Sequence, residues 1–267
     1  MDQVGQRQIN ILTIGNDENI FNPHSKLREK ISGYMRGLDK FFIICRSSTR
    51  GRSVEKKGAL ELYPAFSRFH ISFLWSFYYL GSRLIKSRPG DWVISSDNPF
   101  EEGLAAWVLS RRFKTSLQLQ VHTDFMSPYF RRASWKEALR FRMACFLVPR
   151  ADCIRVVSER IKKSIISDCG VNPSKIQVLP VFTETEKFSN ASKDESAERR
   201  FKNYDFKIVS AGRFVDKEKN FSLLIKVIAE LVGKMPKILL VIVGEGKDKK
   251  KLEDLIGRYN LGNNIIL

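Results

Sequence analysis

Within "SAGRFVDKEKNF", residues 210–221, an Arg and a Lys stand six positions apart across a polar turn, at the start of a long apolar-periodic run. Phe221, Leu224, Ile225, Ile228, Leu231 and Val232 recur at i, i+3, i+4 and i+7, which predicts a helix with Asn220 as its N-cap and Gly233 and Pro236 as its stop. The preceding "FKIVSA" reads as a strand, so Arg213 falls at a strand end and Lys219 just ahead of a helix N-terminus. Free backbone N–H groups and the positive end of the helix dipole favour an anion there. Two cations beside them, at the carboxyl edge of a parallel sheet, suit a diphosphate and repel one another when the site is empty. Solvated surface charge fits the same two residues in so basic a chain, and spacing alone leaves both readings open.

Other reactive side chains are sparse. There is no DxD triplet and no carboxylate cluster at metal-ligand spacing. The four cysteines, Cys45, Cys145, Cys153 and Cys169, show no CxxC spacing, which argues against a zinc site or a disulfide framework. No secretory pattern precedes "INILTIG", and a reducing cytoplasm is the expected compartment. His122 ends the strand-like "LQLQVH", where it fits either a substrate-orienting role or an ordinary strand-end hydrogen bond.

The elements that must position these groups follow from the hydrophobic pattern. At 267 residues and 43% apolar the chain is long enough for real cores. Candidate strands at 9–14, 40–45, 92–95, 117–122, 153–157 and 176–179 alternate with helical segments, which predicts a parallel sheet with crossover helices on both faces. The strands read as continuous apolar runs, as expected of strands covered on both sides. "FHISFLWSFYYLGSRLI", from Phe69 to Ile85, is too interrupted by polar residues for a bilayer span and reads as a buried helix. Residues 184–203, almost without apolar side chains, read as a linker, after which a second βαβ unit begins at 204. This predicts an α/β protein with one domain at 1–183 and the start of another at 204–267, the second too small to cover its own core, so that the chain reads as C-terminally incomplete.

The segment from Ser210 to Leu267 resembles the first half of the nucleotide-sugar domain of the retaining family 4 glycosyltransferases. The likeness rests on the "GR" turn, the "KNF" helix start, the "VIVGEG" strand and turn and the "LGNNI" lead-in, in that order. It implies the GT-B fold of two facing Rossmann-like domains, the second truncated here. It also implies transfer of a sugar from a nucleoside diphosphate to a hydroxyl with retention, no cofactor and no metal. By the same resemblance Arg213 and Lys219 bind the donor diphosphate. His122 acts at the cleft edge, and Gly15, Asp124, Lys217, Gly244 and Glu245 stand as further cleft positions. Earlier segments, "LQLQVHTDF" and "ADCIRVVSERIKKSI" followed by "KIQVLPVF", resemble the acceptor domain. Here Phe182, Thr183 and Glu184 replace the family's usual Asn-Gly-Val-Asp, and no contact is carried over from that turn. The family's acidic pair, two Glu separated by seven residues, would fall beyond Leu267.

Of the formal charge of +17, residues 1–183 carry +13, from 29 Lys and Arg against 16 Asp and Glu. A field of that sign attracts anionic lipid, nucleic acid or a phosphorylated small molecule. Trp135, Leu139, Met143 and Phe146 form one stripe of a helix opened by a Ser134/Glu137 capping box and flanked by Lys136, Arg140 and Arg142. That stripe fits a core-facing helix or one resting on an anionic membrane, which would put the enzyme on the inner membrane face beside a lipid-linked or cell-envelope acceptor. The alternative class is a non-catalytic anion- or nucleic-acid-binding α/β protein, although no zinc-finger spacing or RNP-like strand supports nucleic acid.

Overall fold

A computed structural model describes residues 9–34, 40–66, 72–181, 185–192 and 194–267. The chain divides into two compact units, Met1–Phe182 and Thr183–Leu267.

Among the described residues the first unit has eight strands: β1 Ile9–Gly15, β2 Lys40–Ser47, β3 Glu55–Lys57, β4 Leu60–Phe66, β5 Asp91–Ser96, β6 Ser116–Val121, β7 Cys153–Val156 and β8 Ile176–Val178. Their order is β3-β4-β2-β1-β5-β6-β7-β8, parallel throughout except for the β3–β4 hairpin. The chain runs outward from β1 through β2 to β4, then returns to the other side of β1 at β5, so the order reverses between β1 and β5. Ligand crevices in open parallel sheets form outside the carboxyl ends at such a reversal. Gly15 ends β1, and Asp97 directly follows β5.

Helices α1 Lys26–Tyr34, α2 Ser72–Ser87, α3 Glu101–Phe113, α4 Pro128–Arg132, α5 Trp135–Leu147 and α6 Glu159–Cys169 complete the unit. Phe73, Phe77 and Leu84 of α2, Ala105, Ala106 and Leu109 of α3, Ala144 and Leu147 of α5 and Ile161 and Ile165 of α6 share one core with alternate residues of β1, β2 and β5–β7. On the opposite face Ile20, Phe21 and the α1 residues Leu27 and Ile31 pack with Ile43, Cys45, Leu60 and Leu62. Over β5–β7 that second face is mostly polar, with Ser95, Gln118, Gln120 and Arg155 beside Val93 and Cys153. The expectation of strands covered equally on both sides is therefore corrected: β6 alternates buried Leu117, Leu119 and Val121 with partly exposed Gln118 and Gln120.

The second unit contains α7 Thr185–Ser189, α8 Glu195–Arg200, β9 Phe206–Ala211, α9 Asp216–Lys219, α10 Phe221–Val232, β10 Ile238–Val243, α11 Lys249–Arg258 and β11 Ile265–Ile266. Its parallel sheet has the order β11-β10-β9. Phe221, Ile225 and Ile228 of α10 and Leu252 and Ile256 of α11 pack on Ile238, Leu240 and Ile242; each fully buried side chain of this size contributes about 1.5–3 kcal/mol. Where the sequence reads as a linker at 184–203, two short helices form, the second started by the Asp194 carboxylate accepting from the Ser196 and Ala197 N–H groups.

Candidate functional site

In the first unit a hollow of about 570 Å³ opens at the reversal of strand order, lined among others by Gly15, Asp97, Glu102, Gln120, His122 and Arg155. His122 follows the end of β6, and its Nε2 lies 3.3 Å from Gln120 Oε1. That oxygen already accepts from Arg155 Nη1 at 2.9 Å, so Nε2 is the donor in the pair and the neutral ring keeps Nδ1 as an acceptor. Burial of the ring, with the charges of Arg155 and Lys30, lowers the His122 pKa and favours the neutral form. Such a ring can accept a hydroxyl hydrogen near neutral pH.

Opposite in chemistry is Asp97. A Cβ on Gly15 would stand 2.1 Å from Asp97 Oδ2, so glycine at 15 is what lets the carboxylate lie against the backbone. Burial raises the Asp97 pKa to about 7, with Glu102 and Asp17 adding repulsion. Asn98 Nδ2 donates to Glu102 Oε2 at 2.8 Å, tying that carboxylate down. The sequence gives no sign of Asp97, because burial at a turn is a tertiary property. Asp124, expected at the same cleft edge, instead pairs with Arg160 at 3.2 Å and is not among the residues lining the hollow.

In the second unit the geometry centres on the turn after β9. The Gly212 N–H donates to Val243 O at 2.9 Å and the Phe214 N–H to Glu245 O at 2.9 Å, joining this turn to the one after β10. A Cβ on Gly244 would fall 1.9 Å from Gly212 O, so the two turns approach this closely only with glycine there. The Lys219 side chain lies along Gly212, its Cδ and Cε 3.6 and 3.7 Å from where a Gly212 Cβ would be. Arg213, the next residue, is 75% exposed and pairs with Glu218 at 3.0 Å. Arg213 and Lys219 are thus brought to one turn at the carboxyl end of β9. Glu218 offsets charge repulsion between the two cations, and it is a residue that sequence reasoning missed. Glu245 pairs with Lys249 at 3.6 Å, and Lys217 lies within α9.

Two local expectations are corrected. Asn220 is not a side-chain N-cap; it adopts a left-handed φ of 55° between α9 and α10 and makes no capping bond. The N-terminus of α10 is also not an open anion site, because Asp216 fills it, accepting from the Ser222 N–H at 2.8 Å and the Ser222 hydroxyl at 2.6 Å. Residues 216–219 close into a helical turn, which carries Asp216 back to the cap position that Asn220 would otherwise hold. Burial would raise the Asp216 pKa, but bonds from Lys251 and Ser222 outweigh it and hold the carboxyl at about 2. With that helix end occupied by Asp216, the exposed cationic groups this turn presents include the Arg213 and Lys219 side chains. The altered turn at Phe182, Thr183 and Glu184 lies outside the described residues. Among the described residues no three His, Cys, Asp or Glu side chains gather as a metal-binding set.

Comparison with known proteins gives these sites a family. The family model "Glycosyltransferase Family 4" matches residues 35–187, and "Glycosyl transferases group 1" matches residues 192–267. The chain belongs to glycosyltransferase family 4. The uncharacterized glycosyltransferase MJ1069 of Methanocaldococcus jannaschii is 27% identical over 210 residues, covering 76% of this chain and 51% of that protein. The Campylobacter jejuni N-acetylgalactosamine-N,N'-diacetylbacillosaminyl-diphospho-undecaprenol 4-alpha-N-acetylgalactosaminyltransferase is 31% identical over 121 residues, covering 45% of this chain and 31% of that enzyme. The chain spans from about a third to about half the length of the curated relatives it matches. Among solved structures, Anabaena Alr3699/HepE in complex with UDP aligns over 96% of this chain and 68% of that one, with a TM-score of 0.65 at 15% identity. The E. coli structure described as trehalose-6-phosphate bound with UDP-2-fluoro glucose aligns over 96% of this chain and 72% of that one, with a TM-score of 0.72 at 14% identity. These likenesses show the α/β GT-B fold.

Proposed function

We propose that the protein transfers a sugar from a nucleoside-diphosphate sugar to a hydroxyl of a lipid-linked or cell-envelope acceptor, with retention at the anomeric carbon. The observation that carries this reading is the pair of cations at one turn, with the Lys219 stem laid along Gly212 and Arg213 beside it. As the bond from the anomeric carbon to the diphosphate oxygen breaks, negative charge grows on the leaving diphosphate. Positioned cations stabilise that charge without reorganising, more in the transition state than in the ground state. Glu218 yields Arg213 when the diphosphate enters, exchanging a surface ion pair of small worth for a charge-assisted contact. In this reading Arg213 and Lys219 take the part of a metal, and no cofactor is required.

His122 has the acceptor-side role. Its neutral Nδ1 accepts a hydrogen bond from the incoming hydroxyl, while Gln120 and Arg155 fix the ring. The UDP- and UDP-2-fluoro-glucose-bound neighbours and the Campylobacter jejuni transferase named for a diphospho-undecaprenol substrate support a nucleotide-sugar donor and a lipid-linked acceptor. A peripheral position on the cytoplasmic membrane face follows from such an acceptor; among the described residues no helix is long and apolar enough to cross a membrane.

The test is nucleoside-diphosphate release from a panel of UDP- and GDP-sugars in the presence of lipid-linked acceptors, with and without EDTA. Release from at least one donor, unchanged by EDTA and lowered on the order of 10²-fold by Arg213→Ala or Lys219→Ala, is expected. Activity that survives both substitutions but disappears with EDTA would overturn the clamp. Retention at DNA without any affinity for nucleoside diphosphates would instead favour a non-catalytic anion-binding protein.

A further inference from the structure

Helices α2, α3 and α5 lie side by side over one sheet face and share a core. Gly81 of α2 meets Leu109 of α3 so closely that a Cβ there would stand 2.6 Å from the leucine Cδ1. Trp107 of α3 packs edge-on against Phe146 of α5, with ring centroids 5.1 Å apart. Each of the three helices then turns a mixed apolar and cationic stripe away from that core. On α2 the stripe is Trp75, Tyr79, Arg83 and Lys86; on α3 it is Val108 with Arg111 and Arg112; on α5 it is Trp135, Lys136, Leu139, Arg142 and Phe146. Trp75, Tyr79 and Trp135 are 72%, 64% and 74% exposed. The α5 stripe is therefore not the core-facing side of that helix, which is made by Ala144 and Leu147.

Between α2 and the end of α3 the surface forms a groove of about 650 Å³, lined by Trp75, Tyr79, Arg83, Lys86, Arg112 and Phe113 among others and, among the described residues, by no carboxylate. Indole and phenol rings carry an apolar body and a polar tip, which suits the boundary between head groups and acyl chains, and Lys and Arg stems extend their charges to phosphates. A second copy of this chain would bring another +17 to the face, whereas an anionic bilayer complements it.

We propose that the outer face of the α2–α3–α5 layer is a docking surface for an anionic bilayer, with Trp75, Tyr79 and Trp135 entering the interface and Arg83, Lys86 and Arg112 holding lipid phosphates in the groove. The surface deepens the peripheral location of the proposed function, yet vesicle binding needs neither donor nor acceptor, so the two can fail separately.

The test is cosedimentation of the full chain with vesicles of phosphatidylcholine alone and of phosphatidylcholine with phosphatidylglycerol, alongside tryptophan emission. Binding to the anionic vesicles only, with a blue shift that Trp75→Ser and Trp135→Ser each diminish, is the expected result. The triple change Arg83→Glu, Lys86→Glu and Arg112→Glu should weaken binding by more than about 10-fold, since each basic residue near such a surface contributes about 1 kcal/mol. The same charge change on the second unit, Lys202→Glu, Lys234→Glu and Lys237→Glu, should weaken it far less. Equal loss in the two triple variants, equal binding to neutral vesicles, no binding, or a dimer that buries Trp75 and Trp135 in light-scattering and emission measurements would each overturn the proposal.

Discussion

Glycine at 15 and aspartate at 97 make one local arrangement, since the carboxylate occupies the space a side chain on residue 15 would need. The consequence is a titration. Asp97 has a folded-state pKa of about 7 against an ordinary 3.8, so between those values the native protein holds a proton that the unfolded chain has released. Stability therefore falls as pH rises through that window, by on the order of 1–2 kcal/mol once solvent reaching the group from the hollow is allowed for. Urea unfolding at pH 4.5 and pH 8 checks this, and Asp97→Asn should flatten that part of the profile. His122 acts differently: His122→Ala should lower sugar transfer more than UDP binding, because its partners Gln120 and Arg155 belong to the first unit, while the proposed diphosphate contacts belong to the second. At this scale the sequence shows His122 and Arg213 at strand ends and Lys219 ahead of a helix, while the roles proposed for them come from the family resemblance. Asp97 and Glu218 are not, since one depends on burial and the other on how a turn folds back.

The β9–α9–α10 segment shows how an element sets what its residues can do. Asp216 caps α10, bonds Ser222 and Lys251, and has a pKa of about 2. A depressed carboxylate pKa gives stability that is present above the unfolded value near 3.8 and lost as pH falls toward 2. Asp216→Asn should therefore cost ~1–2 kcal/mol at pH 7, discounted for the exposed Lys251 partner, with the difference from the parent shrinking below pH 4. Thermal unfolding across pH 2–7 reads it directly. Gly244→Ala meets backbone rather than a movable side chain, and a loss of roughly 2 kcal/mol or more is expected in the same measurement. The α10 helix and its apolar face are legible from periodicity, but its cap is not, because Asn and Asp both suit the position and only the α9 turn selects between them. Strand β4 leaves a weaker trace in the sequence, because Pro64 lacks the N–H of a central ladder; β3 pairs only with Leu60–Leu62, so by residue 64 this is an edge, where proline is tolerated.

At the scale of the molecule, the βα rhythm and the restart of that rhythm after residue 203 are visible in the hydrophobic pattern, because parallel strands and crossover helices each leave a period. The order reversal between β1 and β5 leaves none, and it is this reversal that puts Gly15 and Asp97 at one hollow. The uneven charge is legible from composition, whereas the outward turn of the Trp135 stripe becomes visible only when the core on the opposite side of α5 is seen. The diphosphate clamp proposed for Arg213 and Lys219 is read by calorimetric titration of the full chain with UDP in buffer containing EDTA. Binding should survive EDTA and weaken at least ~10-fold in Arg213→Ala and in Lys219→Ala, the loss of one charge-assisted contact in each case, with Lys217→Ala changed much less. UDP binding that requires a divalent cation, or that is as tight in the double variant as in the parent, would contradict it.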